Sequence, residues 1–115
     1  MISTDLGDVV PVGLISTHAT AAAATAVVIT LPAVENRRSV LHGVQWSYSA
    51  APTGGKLTIT TNAVTIFEED ITASGPGGHT IVLPSLNNTT MVITLASGAG
   101  AVVGKLNVQH VNLSS

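Results

Sequence analysis

The chain is predicted to be all-β, an antiparallel two-sheet sandwich of about eight short strands, and three observations carry that prediction. Apolar and polar residues alternate with period two in segment after segment. Clusters of Gly, Pro, Ser and Asn punctuate those segments at regular spacing. No stretch carries a helical stripe: even the alanines at 21–24 are flanked by Thr and Val and lack a polar face. A chain of this kind folds as a jelly roll or an immunoglobulin-like sandwich. Eight strands with long Gly/Pro loops favour the jelly roll, and a chain without cysteine has no immunoglobulin disulfide.

Residues 1–24 have weak periodicity and read as an N-terminal arm or edge strand, with residues 25–115 as the sandwich domain. A strand is expected over 9–16, interrupted by Pro11, which would hold it at a sheet edge. A small-residue linker follows it. Val9, Val10, Val12, Leu14 and Ile15 are the arm's candidate partner-binding residues. Residues 25–31 (TAVVITL) are β-branched and stopped by Pro32, hence a strand. Glu35 to Arg38 reads as a solvated turn.

Residues 41–61 form the centre of the pattern. Val44, Trp46 and Tyr48 alternate with polar residues before Ala-Pro-Thr-Gly-Gly, and Leu57 and Ile59 alternate after it. That is the signature of a hairpin with one buried face. In residues 63–73 the apolar parity changes between Ile66 and Phe67, which predicts a β-bulge near Phe67–Glu68. Residues 74–78 (SGPGG) are a loop, 80–83 a short strand ended by Pro84, and 90–96 a strand bearing Met91, Ile93 and Leu95. The last strand, 101–111, presents Leu106 and Val108 on the same face as Gly104 and His110. The expected core is therefore Val44, Trp46, Tyr48, Leu57, Ile59, Ile93, Leu95, Leu106 and Val108.

The chain has 115 residues, enough for one domain burying roughly two-thirds of its unfolded surface. Charged residues are 9% of it, and the four Lys and Arg are too few to make a nucleic-acid-binding face. No apolar run approaches the roughly 18 residues of a membrane helix, and the first residues carry Asp5 and Asp8 in place of a basic leader. A product made in the cytoplasm is expected, with no membrane and no nucleic-acid partner. Mean hydropathy is positive in spite of that scarcity of charge, which points to surface covered by other subunits.

The residue types that do chemistry are scattered. His18, His42, His79 and His110 have no second ligand at zinc-motif spacing. Glu68 and Asp70 share one face of their strand, a pair that could hold calcium or act on a glycoside. Neighbours on one strand do not reach opposite sides of a scissile bond, so a solvated edge or a polar partner contact is the expectation. No nucleophile elbow, phosphate-binding loop or thiol motif occurs. The sequence reads as non-enzymatic and without a cofactor.

Trp46-Ser47-Tyr48-Ser49, Pro52-Thr53-Gly54-Gly55, Asp70 to Gly77 (DITASGPG) and Gly104-Lys105-Leu106-Asn107-Val108, in that order, resemble the small β-sandwich decoration (cement) proteins of tailed-bacteriophage capsids. The resemblance covers residues 40–111. It implies a homotrimer on the outer capsid surface of the virion that bridges major capsid protein subunits, with no catalytic residue. A fibre- or tail-associated module binding carbohydrate or a receptor is the alternative that the same sandwich would serve.

Overall fold

A computed structural model describes residues 14–86 and 88–114. Nine strands and no helix occur among them: β1 (Ile15–Thr20), β2 (Val27–Leu31), β3 (Arg37–Tyr48), β4 (Gly55–Thr61), β5 (Val64–Ile71), β6 (Gly77–His79), β7 (Leu83–Pro84), β8 (Met91–Leu95) and β9 (Gly104–Ser114). They form two antiparallel sheets. One has the order β1-β9-β3-β6, with β7 also pairing β3, and the other β2-β8-β4-β5. The chain is an all-β sandwich.

The period-two pattern is what closes it. Leu57, Ile59, Met91, Ile93 and Leu95 of one sheet and Leu41, Val44, Leu106 and Val108 of the other are wholly buried between the layers. Val27, Ile29 and Leu31 complete the core along the β2 edge. Each large aliphatic side chain buried in this way contributes about 1.5–3 kcal/mol. Two or more such residues on each of β2, β3, β4, β8 and β9 make the sandwich face of each sheet distinct, so a one-residue slip is strongly opposed.

Four expectations are corrected. The strand expected over 80–83 and ended by Pro84 is instead β7, Leu83–Pro84, in which the proline itself faces Val40. Residues 41–61 are not a hairpin: β3 and β4 lie in different sheets, and residues 49–54 carry the chain across between them. Alternation on both sides of a Pro/Gly turn fits such a corner as well as it fits a hairpin. The true two-residue hairpin joins β4 to β5 through Asn62 and Ala63, whose φ values of 52° and 62° are those of a type I′ turn. The first described strand covers Ile15–Thr20 and pairs with β9 along its whole length, so the stretch read as a linker is in part strand. Residues 77–79 of the expected glycine loop form β6 against β3.

The bulge occurs as expected, one residue early. Ile59 faces Phe67 and Thr60 faces Thr65, so Ile66 is the extra residue. A second irregularity leaves His42 unpaired between Leu41 and Gly43 of β3.

Connections 21–26, 49–54, 72–76 and 96–103 all fall at one end of the sandwich. Main-chain hydrogen bonds tie them together: Tyr48 N to Ser74 O (2.8 Å), Ser49 N to Val103 O (2.9 Å) and Thr53 N to Gly98 O (2.9 Å). The opposite end holds the β2–β3 turn, the β4–β5 hairpin, the segment around β7 and the end of β9.

Candidate functional site

Of the expected core, Val44, Tyr48, Leu57, Ile59, Ile93, Leu95, Leu106 and Val108 are buried, whereas Trp46 is half-buried. Trp46 stands next to the open edge of its sheet, where β6 is only three residues long. Gly75 and Gly77 lie directly on its indole ring. Its Nε1 is buried without an acceptor among the described residues. Tyr48 donates its hydroxyl to the Ala96 carbonyl at 2.7 Å, and burial raises its pKa, partly offset by a backbone hydrogen bond at Lys56. None of the aromatic rings therefore forms an exposed platform.

Beside Trp46, the edges of the two sheets are latched. The inward parity of β5 after its bulge brings Phe67 and Glu69 toward β6. Nε2 of His79 donates to Oε1 of Glu69 at 2.9 Å, and the His79 ring meets Phe67 at 5.3 Å. Both side chains are about a third exposed, so this latch carries well under the strength of a buried pair.

Glu68 and Asp70 take the other face of β5. Lys56, directly across on β4, lies 3.4 Å from Glu68 and 3.9 Å from Asp70. This lysine occupies the position between the carboxylates that an ion would need. No group of three or more His, Asp or Glu that could hold a metal ion occurs among the described residues. The histidines are dispersed: His18 is exposed on β1, His42 sits in the β3 irregularity, His79 belongs to the latch, and His110 is buried.

Two residues from His110 on β9, Asn112 takes part in a polar plug at the end of the sandwich away from the tied loops. Ser39 N donates to Ser85 Oγ (2.9 Å) and Ser39 Oγ to Asn112 Oδ1 (3.2 Å), while Ser85 N returns to Ser39 O. His110 Nδ1 is buried without a partner among the described residues, and burial lowers the imidazole pKa.

Around that plug the surface is unlike the rest of the molecule. Leu86 and Leu113 are 57% and 48% exposed. They flank the start of β3 on its two sides: Ser85 and Asn88 bond along Ser39 and Arg37, while Leu113 pairs with Arg38. Leu14 and Ile15 are exposed at the start of β1, where Ile15 faces His110, and Val64 is exposed at the start of β5 beside Thr61. Arg37 and Arg38 are exposed and pair with no carboxylate among the described residues. Of the arm residues expected to meet a partner, Leu14 and Ile15 belong to this surface; Val9, Val10 and Val12 lie outside the described residues.

The sequence reading missed this cluster because its members are far apart in the chain. Only the β3–β9 register and the path of residues 85–88 unite them. Arg37-Arg38 was the one local signal, and it reads equally well as a turn.

No family model matches the chain, and no curated protein matches it. Among solved structures it is similar to dimeric latent PorU from Porphyromonas gingivalis, at 10% identity and a TM-score of 0.41. The match covers 85% of this chain and 13% of that one. A likeness at that level says nothing about function. No helix among the described residues is long and apolar enough to cross a membrane.

Proposed function

We propose that the protein is a structural virion subunit, a capsid decoration (cement) protein that attaches to the major capsid protein lattice on the outside of a tailed-phage head. The observation that carries this reading is the end of the sandwich bearing Leu14, Ile15, Leu86 and Leu113 beside Arg37 and Arg38. Exposed aliphatics at one end of the sandwich, with arginines that meet no carboxylate among the described residues, are the composition of an interface. They stand out in a chain with 9% charged residues. In this reading the partner is the one that the resemblance of residues 46–49, 52–55, 70–77 and 104–108 to cement proteins implies. In this reading several subunits act together as a trimer, so that modest contacts add through effective concentration.

Strand order supports the finer assignment to a jelly roll. With β7 set aside, eight strands remain, and the pairs β1–β9, β2–β8, β3–β6 and β4–β5 are first with last, second with seventh, third with sixth and fourth with fifth. A single long antiparallel ribbon rolled up on itself, as in the double Greek key of a jelly roll, would give that order, which favours this reading. A glycan-binding module is less well supported, because the rings of Trp46, Tyr48 and Phe67 are turned toward the interior.

The reading is tested by sedimenting purified heads with the protein and with a Leu86→Glu/Leu113→Glu variant. Both positions are exposed, so the variant should fold within about 0.5 kcal/mol of the parent. It is expected to lose about tenfold or more in attachment. Undiminished attachment would move the interface elsewhere, and no attachment by the parent would remove the capsid role.

A further inference from the structure

We propose that two copies of this chain join edge to edge through β2, pairing Val27–Leu31 antiparallel with its own symmetry mate and extending the β2-β8-β4-β5 sheet across a two-fold axis. The proposal goes beyond the capsid reading and does not depend on it.

A sheet edge presents unpaired main-chain donors and acceptors, and soluble proteins blunt such edges with charge, bulges or short strands. Three of the four edges here are blunted or polar. β5 carries Glu68, Glu69 and Asp70 and the bulge at Ile66. β6 is three residues long and two of them are glycine. β1, reading ISTHAT, turns Ser16, His18 and Thr20 outward. Among the described residues the fourth edge has no such device. β2 reads VVITL, pairs only with β8, and keeps an unbroken register over all five residues. No other described segment makes a main-chain hydrogen bond to it. Val28, 54% exposed, and Thr30 are its outward side chains.

The occupant follows from self-complementarity. Antiparallel pairing about a two-fold axis must set inward residues opposite inward ones, or the apolar face would cross to the solvent side. The register that uses all five residues centres on Ile29. It places Ile29 against Ile29 of the second copy, Val27 against Leu31, and Val28 against Thr30. Every cross-strand pair is then between β-branched or aliphatic residues with no charge opposed to like charge. The flanks agree: the residues just before β2 (Ala24 to Ala26, ATA) are small and uncharged, and they would meet Pro32 to Val34 of the other copy. The contact is isologous, so it closes on itself and leaves threefold contacts to other surfaces.

The test uses the full-length chain, which contains no cysteine. Val28→Cys and Thr30→Cys proteins are oxidised separately and as a mixture. Residues directly opposite lie within disulfide reach, whereas two copies of Val28, or of Thr30, are diagonal neighbours too far apart. The mixture should therefore yield a disulfide-linked heterodimer on a non-reducing gel, and neither variant alone should yield a homodimer. A mixture that forms no more disulfide than the separate variants would overturn the pairing. In parallel, Val28→Lys should abolish the two-fold association seen by sedimentation velocity, while Val82→Lys, also at an exposed valine, should leave it intact. Equal association of the Val28→Lys protein and the parent would likewise overturn it.

Discussion

Replacing Gly77 by alanine puts the packing of Trp46 to the test. A Cβ built on Gly77 would stand 2.4 Å from Cζ2, 2.7 Å from Cε2 and 3.0 Å from Cη2 of the indole. Carbon atoms rest at about 3.5–4.0 Å, so the ring or the strand must move by about 1 Å. The ring is held by the core beneath it, whereas β6 is held by the pairs Val44–His79, Gln45–Gly78 and Trp46–Gly77. The strand should therefore lift, taking His79 away from Glu69. Overpacking of this kind costs about 1–3 kcal/mol. The alanine also stiffens the unfolded chain, which favours folding by about 0.4–1 kcal/mol. The net destabilisation is about 1–2 kcal/mol, or roughly a 0.5–1.5 M fall in the urea midpoint. Trp46 is the only tryptophan, so its emission reports the same event and should shift to the red as solvent reaches the ring. Gly100→Ala is the control: Gly100 has φ 56° and nothing within 4 Å of its Cβ position, so strain alone should lower stability and leave the emission unmoved. A Gly77→Ala protein with parental midpoint and emission would refute the packing of the glycine on the indole.

Other outcomes follow from the same geometry. Because burial depresses the pKa of His110, the unfolded state binds its proton first as pH falls. The stability this group confers should be complete above its unfolded pKa of about 6.5 and decline below it. Urea titrations of His110→Leu across that range should show a shallower acid loss than the parent; an identical pH profile would assign the loss to other groups. Tyr48→Phe should cost about 1 kcal/mol through the lost bond to Ala96, measured by thermal or urea unfolding. In the folded parent the phenol should ionise only above its ordinary range, since burial raises its pKa, which phenolate absorbance would follow. Glu69→Gln should change stability by less than about 1 kcal/mol, because the His79 pair is a third exposed.

Much of this architecture is written in local pattern. Period two predicts Leu57/Ile59, Met91/Ile93/Leu95 and Leu106/Val108 as inward residues, and each is wholly buried. What local pattern does not contain is partnership. The alternation around residues 49–54 is the same whether the next strand turns back beside its neighbour or crosses to the facing sheet, and here it crosses. The β4–β5 hairpin is hard to see because its turn is Asn62-Ala63, where alanine occupies a left-handed position that glycine usually marks. Glycine in residues 74–78 signals a loop by composition, yet Gly77 serves as a strand residue whose missing Cβ admits the Trp46 ring. The candidate interface is the least legible feature, since only long-range pairing sets the segments of Arg37, Leu86 and Leu113 at the same end of the sandwich.

Electron microscopy of purified heads decorated with the protein tests the central claim most directly. Density is expected on the outer capsid surface, with the sandwich standing on the end that carries Arg37, Arg38, Leu86 and Leu113. Subunits bound through the tied-loop end, or heads that carry none of the protein, would contradict it.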